Sequence, residues 1–492
     1  MLRILGSPKR ACDGSTRRDF LLAGGLGGLS LALSGGAASA STDRGFGRAK
    51  NVILLYPFGG PSQLETFDPK PDAPVEVRGE LKAIPTRVPG LLVSEGLPRV
   101  ARIMDRCTVL RSLTHTENFH GMQYATTGLP KGSIPIEETQ RHPEHWPFVG
   151  SVATYFNQRR EGQKPPGAIP DNLILPFPLS TLRPAALYAR PHAAYLGGAF
   201  DPLWANFRGK ATRSVTRFTN GPDEQVFDPY LGITPGSRFE LAPEADLSVD
   251  VTLDRLNQRR SLLQQLDSAR VSLDETSATP SFERNRQRAF SLVDSPRVRR
   301  ALDLDREPVK LRESYGMTLF GQGALQARRL VEAGCRFVSV VWDEYGQLNS
   351  AWDTHVDHFS RMKTDLLPGF DNAFASLIED LEVRGMLDDT LVLVLNEMGR
   401  TPKLENARGG GRGHWGLAYC NLMAGAGVAR GRVIGKTDSI AGTVVERPLR
   451  AKDVLATAYH LLGIGSEAMV PDRLNRPNPV LPYGDIIREA LA

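Results

Sequence analysis

The sequence lacks several features that would place it in a simple class. Among its 492 residues there is no apolar run of about 18 or more, which excludes a protein with several membrane-spanning helices. It has only four cysteines, too few for a small fold held together by disulfides. Aromatic residues make up only 7% of the chain, but hydrophobic residues as a whole reach 41%, so a disordered chain is also excluded. These figures indicate a globular protein with a sizeable core.

An excess of charge of one sign is also lacking. The chain has 60 basic and 55 acidic residues, a formal net charge of +5. The first 40 residues hold five of the basic and two of the acidic residues, which is +3 of that total, so the rest of the chain is close to +2. A chain so near neutrality is a poor candidate for a nucleic-acid-binding protein. We therefore expect no nucleic-acid partner.

The N-terminal 40 residues have the pattern of an export signal. Arg17 and Arg18 are followed by an apolar, glycine-rich stretch at 21–33 and by Ala-Ser-Ala at 38–40, a small-residue cleavage site. The twin arginine indicates export in the folded state by the twin-arginine machinery, with an ordinary secretory signal or an uncleaved amphipathic start as alternatives. We expect a periplasmic or secreted protein with no integral membrane span once the signal is removed. The odd number of cysteines that then remains predicts buried free thiols.

Five short apolar runs predict buried strands. They lie at 51–56, 107–113, 336–342, 390–395 and 419–424. Residues 321–333 and 366–386 carry apolar side chains at helical spacing, and each stretch directly precedes a strand. Strands that alternate with helices predict a three-layer α/β/α sandwich with a mostly parallel sheet. In such sheets ligands bind beyond the carboxyl ends of the strands.

The same pattern predicts a division of the chain. The ranges are 1–40 for the signal, 41–160 for the first part of the α/β core, 161–310 for an insertion or cap, and 311–492 for the second part of the core. The first half of the insertion is rich in proline and glycine. Its second half has long polar helical patterns at 253–273 and 282–302.

Histidine and acidic residues collect in the loops that follow the predicted strands. They are His115 and His120 after the second strand, Asp353 and His355 after the third, Glu397 after the fourth, and His414 in the glycine-rich stretch at 409–416. Because these loops meet at one edge of a parallel sheet, we expect the side chains around one crevice, where a divalent metal could bind. Mixed oxygen and nitrogen ligands suit Zn, Mn or Fe rather than a thiolate-preferring ion, and Ca is kept as a further candidate.

These residues also have ordinary structural alternatives. Glu397 could instead pair with Arg400 or Lys403, and His414 could pack near Trp415. In these alternatives, Glu397 and His414 would have structural roles and would not bind a metal.

Two further features of the loops leave alternatives open. After the first strand, Glu65 or Asp68 could supply another metal ligand, although Asp68 could equally lie in a simple turn. Thr116 stands four residues before His120 and could act as a nucleophile activated by the metal, or as the N-cap of a helix, or as both.

The motifs at these positions resemble a bacterial family of exported proteins called domain of unknown function 1501. The matching stretches are GGPSQ at 59–63, FDPK at 67–70, Arg111-Ser and His120-Gly, WDTH at 352–355, EMGRTP at 397–402 and GHW at 413–415. Together they cover nearly the whole chain after the signal, about 50–465. That family is placed in the alkaline phosphatase superfamily, in which an α/β sandwich holds one or two divalent metals and a hydroxyl or formylglycine attacks phosphorus or sulfur.

The resemblance implies roles for particular residues. The implied metal ligands are Asp353, His355, Glu397 and His414, with Thr116 at the position of the nucleophile. From the residues themselves, the candidate catalytic residues are Thr116, His120 and Arg400. Arg400 or Arg412 would stabilise the equatorial oxygens of the reacting group.

The sequence also departs from the superfamily pattern. Asn396-Glu397 stands where Asp-His is usual, and Phe58 or Gly59 stands where the first strand usually ends in an acidic residue. The formylglycine motif Cys-x-Pro-x-Arg is not present, because Cys107 and Arg111 have the spacing but enclose Val109.

Two functions follow as hypotheses. The first is an exported metal-dependent hydrolase of phosphate or sulfate esters, acting on a small molecule or a polysaccharide with a metal-activated threonine or water as the nucleophile. The second is a non-catalytic binding or scaffold protein that keeps the fold and recognises a sulfated or phosphorylated polymer.

Overall fold

The computed structural model describes most of the chain. The described residues are 44–129, 133–162, 168–179, 188–217, 224–241, 295–345, 351–472 and 474–492. The predicted export signal and the helical pattern predicted at 253–273 lie outside them. Of the pattern at 282–302, the helix Pro296–Leu302 lies within them.

Eight strands form the central sheet. In chain order they are β1 (Asn51–Pro57), β2 (Cys107–Leu113), β3 (Asn172–Leu175), β4 (Leu203–Trp204), β5 (Phe337–Trp342), β6 (Thr390–Val394), β7 (Tyr419–Ala424) and β8 (Arg432–Ile434). Their order across the sheet is β8-β2-β7-β6-β1-β5-β3-β4, and only β7 runs antiparallel to its neighbours. The mostly parallel sheet is confirmed, and all five predicted strands are present to within one residue of their expected bounds.

The reversed direction of β7 follows from the connection before it. Parallel neighbours need a long crossover, usually a helix, whereas antiparallel neighbours do not. Between β6 and β7, residues 395–418 contain no crossover helix and form a ribbon in which Gly399–Arg400 pairs with His414–Trp415. The chain therefore returns directly alongside β6 in the opposite direction, and β7 begins at the edge where the parallel strands end.

Helices cover both faces of the sheet. The main ones are α1 (Pro98–Ile103), α2 (Gln123–Thr127), α3 (Val149–Glu161), α4 (Leu319–Glu332), α5 (Leu367–Val383) and α6 (Ala451–Leu461). Ile53 and Leu55 of β1 belong to one buried apolar cluster with α1, α4 and α5, whereas Val52 and Leu54 belong to the other with α2, α3 and α6. Successive strand residues point to opposite faces, so this alternation confirms the three layers.

The two helices predicted from apolar spacing are confirmed as α4 and α5. α4 begins after Thr318, whose hydroxyl accepts a hydrogen bond from the amide of Gly321 at 3.0 Å. α5 continues from a π-helical turn at Met362–Leu366 and is followed by Gly385 at a φ of +67°. α4 packs against β1 and β5 at the centre of the sheet, and α5 packs against α4 and α1 within the same apolar cluster.

Smaller elements complete the described chain. Short helices lie at Val75–Arg78, Ile134–Glu138, Val309–Ser314 and His358–Arg361. Two-stranded ribbons join Ala83–Pro85 with Leu92–Ser94, Asn206–Arg208 with Arg238–Glu240, Ser214–Arg217 with Glu224–Phe227, Lys436–Thr437 with Val444–Glu446, and Met469–Pro471 with Pro477–Pro479.

Part of the predicted insertion belongs to the core. β3 and β4 lie within 161–310, yet β3 pairs with β5 and β4 pairs with β3 in the central sheet. These strands extend the sheet, so this portion does not act as a cap, and the division of the chain into ranges otherwise stays a prediction. Cys107, Cys335 and Cys420 are buried and free, as the cysteine count predicts. No helix in the described part of the chain is long and apolar enough to cross a membrane.

Candidate metal centre

Four side chains meet at the edge where the parallel strands end. Asp353 and His355 come from the loop after β5. His120 comes from the loop after β2, and His414 from the ribbon just before β7. One potential ligand atom from each residue lies within 4.8 Å of every other. We call these four residues the four-residue cluster.

The distances within the four-residue cluster fit a single metal ion. Asp353 Oδ1 lies 3.3 Å from Nε2 of His120, 3.1 Å from Nε2 of His355 and 3.4 Å from Nε2 of His414. The Nε2 atoms of His355 and His414 are 3.0 Å apart. Ligands at about 2.1 Å from a tetrahedral ion stand about 3.4 Å from one another. These four distances therefore match the size of one coordination shell.

Outer hydrogen bonds orient two of the imidazoles. His414 donates from Nδ1 to the carbonyl oxygen of Asn118 at 3.0 Å. His120 donates from Nδ1 to Oε1 of Glu397 at 3.3 Å. In both rings the other nitrogen, Nε2, faces the cluster, which is the arrangement that metal-binding histidines usually have.

The charge states of the cluster residues differ in how well they suit a cation. Burial raises the pKa of Asp353, but the guanidinium of Arg400 and the imidazole of His120 outweigh it and hold that pKa well below its usual range. Burial lowers the pKa of His120, but Asp353 and Glu397 outweigh it and raise that pKa to about 9. Burial lowers the pKa of His414. A deprotonated carboxylate and a neutral imidazole are the forms in which these groups bind metals, so His120 must release a proton when an ion binds.

Arg400 is a buried residue whose guanidinium donates hydrogen bonds to several groups of the site. Its Nη2 donates to Asp353 Oδ1 at 2.6 Å and to the carbonyl oxygen of Gly59, and its Nε donates to the carbonyl oxygen of Gly60 at 3.0 Å. Its Nη1 donates to the carbonyl oxygen of Arg412 at 3.1 Å and faces His355 Nε2 at 3.5 Å. A guanidinium has five N–H donors, and oxygen acceptors use four of them.

Glu397 lies beside the four-residue cluster but outside it. Its Oε1 accepts a hydrogen bond from the amide of Gly59 at 2.6 Å in addition to the one from His120. Among the described residues it forms no ion pair with Arg400 or Lys403, the alternative partners considered above. The structure therefore places Glu397 against the outer nitrogen of a cluster histidine.

The glycine at the end of β1 explains one departure from the superfamily pattern. Gly59 has a φ of +111°, and a Cβ there would lie 2.4 Å from the backbone nitrogen of Asp353. The loop after β5 crosses so close to this position that no acidic side chain fits. The other departure, Asn396, is tied to β7, because its Nδ2 donates to the carbonyl oxygen of Cys420 at 2.6 Å.

Glu65 and Asp68, the acidic residues after β1, form ion pairs with residues outside the four-residue cluster. Glu65 pairs with Arg412 at 2.6 Å and with His358 at 3.1 Å, and all three are buried. Burial raises the pKa of Glu65, but Arg412 and His358 outweigh it and lower that pKa to about 2. Asp68 lies 3.0 Å from Lys70 and 3.3 Å from Arg111, and Thr437 donates to its other oxygen. Neither carboxylate belongs to the four-residue cluster.

The remaining candidate residues, Thr116 and Arg412, differ in burial. Thr116 is exposed, and its hydroxyl lies 3.4 Å from Oε1 of Glu117. It caps no helix, because the next helix begins at Gln123 and its N-cap is Met122. Arg412 is fully buried and donates to Glu65 and to the carbonyl oxygens of Thr401, Pro402 and Val77.

The donor set also bears on the identity of the ion. Three imidazole nitrogens and one carboxylate oxygen suit Zn, Mn or Fe. Calcium takes six to eight oxygen ligands, so this donor set does not fit it. His120, which the sequence suggested as a catalytic residue, stands here among the potential ligands. The sequence feature that indicates His120 as a ligand is its place in a loop at the same sheet edge as Asp353 and His414.

The fold and this cluster define an α/β protein with a candidate metal centre at the carboxyl edge of its sheet. The sequence model of the family described as "Protein of unknown function (DUF1501)" matches residues 49–491, so the chain belongs to that family. No curated protein sequence matches it.

Several solved structures resemble the chain weakly. The sulfatase PsFucS1 from Pseudoalteromonas sp. is 11% identical, with a TM-score of 0.39 over 91% of this chain and 72% of that one. The lipoteichoic acid synthase LtaP from Listeria monocytogenes is 9% identical, with a TM-score of 0.36 over 91% and 78%. The phosphonate monoester hydrolase SpPMH from Silicibacter pomeroyi is 12% identical, with a TM-score of 0.35 over 90% and 76%. Likenesses this weak carry no argument about activity.

Proposed function

We propose that the protein is an exported, metal-dependent hydrolase of phosphate or sulfate esters. The observation that carries the proposal is the four-residue cluster, whose ligand atoms have the spacing of one coordination shell. It lies at the carboxyl edge of a mostly parallel sheet, which is where α/β proteins bind their ligands. The reaction class comes from the alkaline phosphatase superfamily, in which the resemblance to the DUF1501 family places the chain.

The charges around the cluster favour an anionic substrate. Asp353 and Glu397 contribute two negative charges, and Arg400 together with Arg361, which donates to the carbonyl oxygen of Asp353 at 3.0 Å, contributes two positive charges. With neutral imidazoles, a divalent ion would leave a net charge of about +2. A buried positive centre attracts phosphate and sulfate groups more strongly than neutral esters.

Different residues of the chain would hold the ion and supply the nucleophile. His120, Asp353, His355 and His414 would hold the ion. A bound divalent metal polarises ester oxygens and lowers the pKa of a coordinated hydroxyl or water. His355 and His414 have side chains 31% and 23% exposed, against 9% for His120, so substrate would approach from their side. Thr116, exposed in the loop that leads to His120, is the candidate protein nucleophile, with water as the alternative.

One observation favours a second function. Structural zinc sites use four protein ligands, whereas catalytic sites keep one position open. The cluster offers four side chains, and four of the five donors of Arg400 are already used by oxygen acceptors of the protein. A non-catalytic member of the fold, with a structural metal and a surface for sulfated or phosphorylated polymers, would have these features.

Metal content followed by turnover separates these possibilities. The exported protein would be analysed by elemental mass spectrometry as wild type, as His414→Ala with Asp353→Asn, and as His142→Ala, a histidine outside the cluster. We expect about one equivalent of transition metal in the wild type and in His142→Ala, and its loss from the double variant. The loaded protein would then be assayed with aryl phosphate, sulfate and phosphonate esters.

Each outcome decides between the functions. Turnover that disappears with the metal supports the hydrolase. One equivalent of metal without turnover on any ester supports the binding protein. A wild type that takes up no Zn, Mn or Fe would refute both as metal proteins.

A further inference from the structure

We infer that Glu397 is a positioning residue of the metal centre: its carboxylate holds the His120 imidazole from the outer side, with Nε2 directed at the ion. The inference rests on the proposed function, because it requires that the four-residue cluster binds metal. It differs from the role that the sequence suggests, in which Glu397 is itself a ligand.

The contacts of His120 separate the two sides of its ring. Nδ1 donates to Oε1 of Glu397 at 3.3 Å, while Nε2 lies 3.3 Å from Oδ1 of Asp353 inside the cluster. The two nitrogens of an imidazole point in different directions, so a group bonded to Nδ1 stands behind the ring relative to an ion at Nε2. No oxygen of Glu397 is close enough to all the cluster atoms to complete a ligand set with them.

Glu397 is itself held in place. It is buried in the loop that follows β6, and the amide of Gly59, in the loop that follows β1, donates to its Oε1 at 2.6 Å. Its backbone carbonyl accepts a hydrogen bond from Nε2 of His115 at 2.7 Å. Phe58 packs beside His120, with the two rings 5.3 Å apart. The carboxylate is therefore attached to the central strands of the sheet, and it can fix the tilt of the His120 ring.

Glu397 also affects how strongly His120 binds a cation. A carboxylate that accepts the outer N–H of a metal-binding histidine fixes its tautomer and raises the basicity of the inner nitrogen. His414 obtains the same kind of support from the carbonyl oxygen of Asn118, which no side-chain substitution removes. Glu397 is therefore the outer partner that can be changed without touching a cluster residue.

The test compares metal affinity across four variants of the exported full chain. Zn²⁺ affinity would be measured by competition with a chromophoric chelator, and Co²⁺ substitution would report the ligand geometry through its visible absorption. The variants are Glu397→Ala, Glu397→Gln, His120→Ala, and Glu446→Gln as a matched control with a side chain 64% exposed. Circular dichroism of the metal-free variants would check that the fold is kept.

We expect Glu397→Ala to bind one equivalent of Zn²⁺ with about 10- to 100-fold lower affinity and a shifted Co²⁺ spectrum. Glu397→Gln should lose less, because its amide oxygen can still accept the proton of His120. A merely structural role would not produce this graded change in the spectrum. Glu446→Gln should match the wild type.

Two results would overturn the inference while the proposed function stands. If Glu397→Ala loses metal as completely as His120→Ala, then Glu397 is a ligand. If its affinity is within twofold of the wild type, then Glu397 has no part in binding. If the wild type itself binds no metal, both the inference and the proposed function fail. This outcome is seen in the wild type, whereas the other two are seen only in Glu397→Ala.

Discussion

Replacing Asp353 by asparagine should destabilise the metal-free protein by about 3–5 kcal/mol, the usual cost of breaking a buried ion pair. The side chain of Asp353 is 6% exposed and that of Arg400 is 0% exposed, and the two groups are 2.6 Å apart. Asparagine keeps the shape and removes the charge, so no cavity forms. The loss comes from a buried guanidinium that no longer faces a carboxylate.

The magnitude follows from the contacts of Arg400. At an effective dielectric constant of about 20, two unit charges 2.6 Å apart attract each other by about 6 kcal/mol. In the variant, Arg400 still donates to the carbonyl oxygens of Gly59, Gly60 and Arg412, which partly solvate its charge. The expected loss is therefore below the full Coulomb energy.

Equilibrium unfolding in urea with a chelator present measures this loss. The matched control is Asp357→Asn in the same loop, because Asp357 pairs with Arg408 at 2.9 Å but with side chains 27% and 53% exposed. An exposed pair of this kind is worth less than about 1 kcal/mol. A double-mutant cycle with Arg400→Met would isolate the interaction between Asp353 and Arg400. If Asp353→Asn costs no more than the control, the reasoning about burial is wrong.

Three further predictions concern other parts of the chain. Gly59→Ala should lower the melting temperature and abolish metal uptake, because its Cβ would lie 2.4 Å from the backbone nitrogen of Asp353; Gly465→Ala, which meets no atom within 4 Å, should change neither. Burial raises the pKa of Glu137 to about 8 from an ordinary 4.5, so the stability that comes from its protonated form is complete below about pH 4.5 and is lost as the pH rises to about 8. Between pH 5 and pH 8, the free energy of unfolding should therefore fall with rising pH. The fall should be up to roughly 1.4 kcal/mol per pH unit in the wild type, and less in Glu137→Gln. Lysine at both residues 17–18 should leave the protein in the cytoplasm in cell fractionation, whereas unchanged export would contradict a twin-arginine signal.

The strands and the site edge could be predicted because they depend on local patterns. A strand buried on both faces must be apolar throughout, so runs such as Thr390–Val394 are visible in the sequence. The residues after such strands share one edge of the sheet, which is why Asp353, His355 and His414 could be grouped before any distance was known.

The roles of individual side chains could not be predicted in the same way. Glu397 and His120 were both expected near the metal, but only their contacts show that Glu397 faces the outer nitrogen of the His120 ring. The role of Glu65 depends on Arg412 and His358, which lie roughly 300 residues further along the chain. Thr116 has the spacing of an N-cap, but the helix begins later.

The sequence by itself determined the α/β architecture, the edge at which polar residues collect and the family to which the chain belongs. Each of these follows from hydrophobic periodicity or from motifs of a few residues. Only the tertiary structure decided that β7 runs antiparallel, that β3 and β4 extend the sheet, and which four side chains lie within coordination distance. The physical reason is that strand pairing and ligand geometry depend on contacts between segments far apart in the chain, and local patterns do not encode those distances.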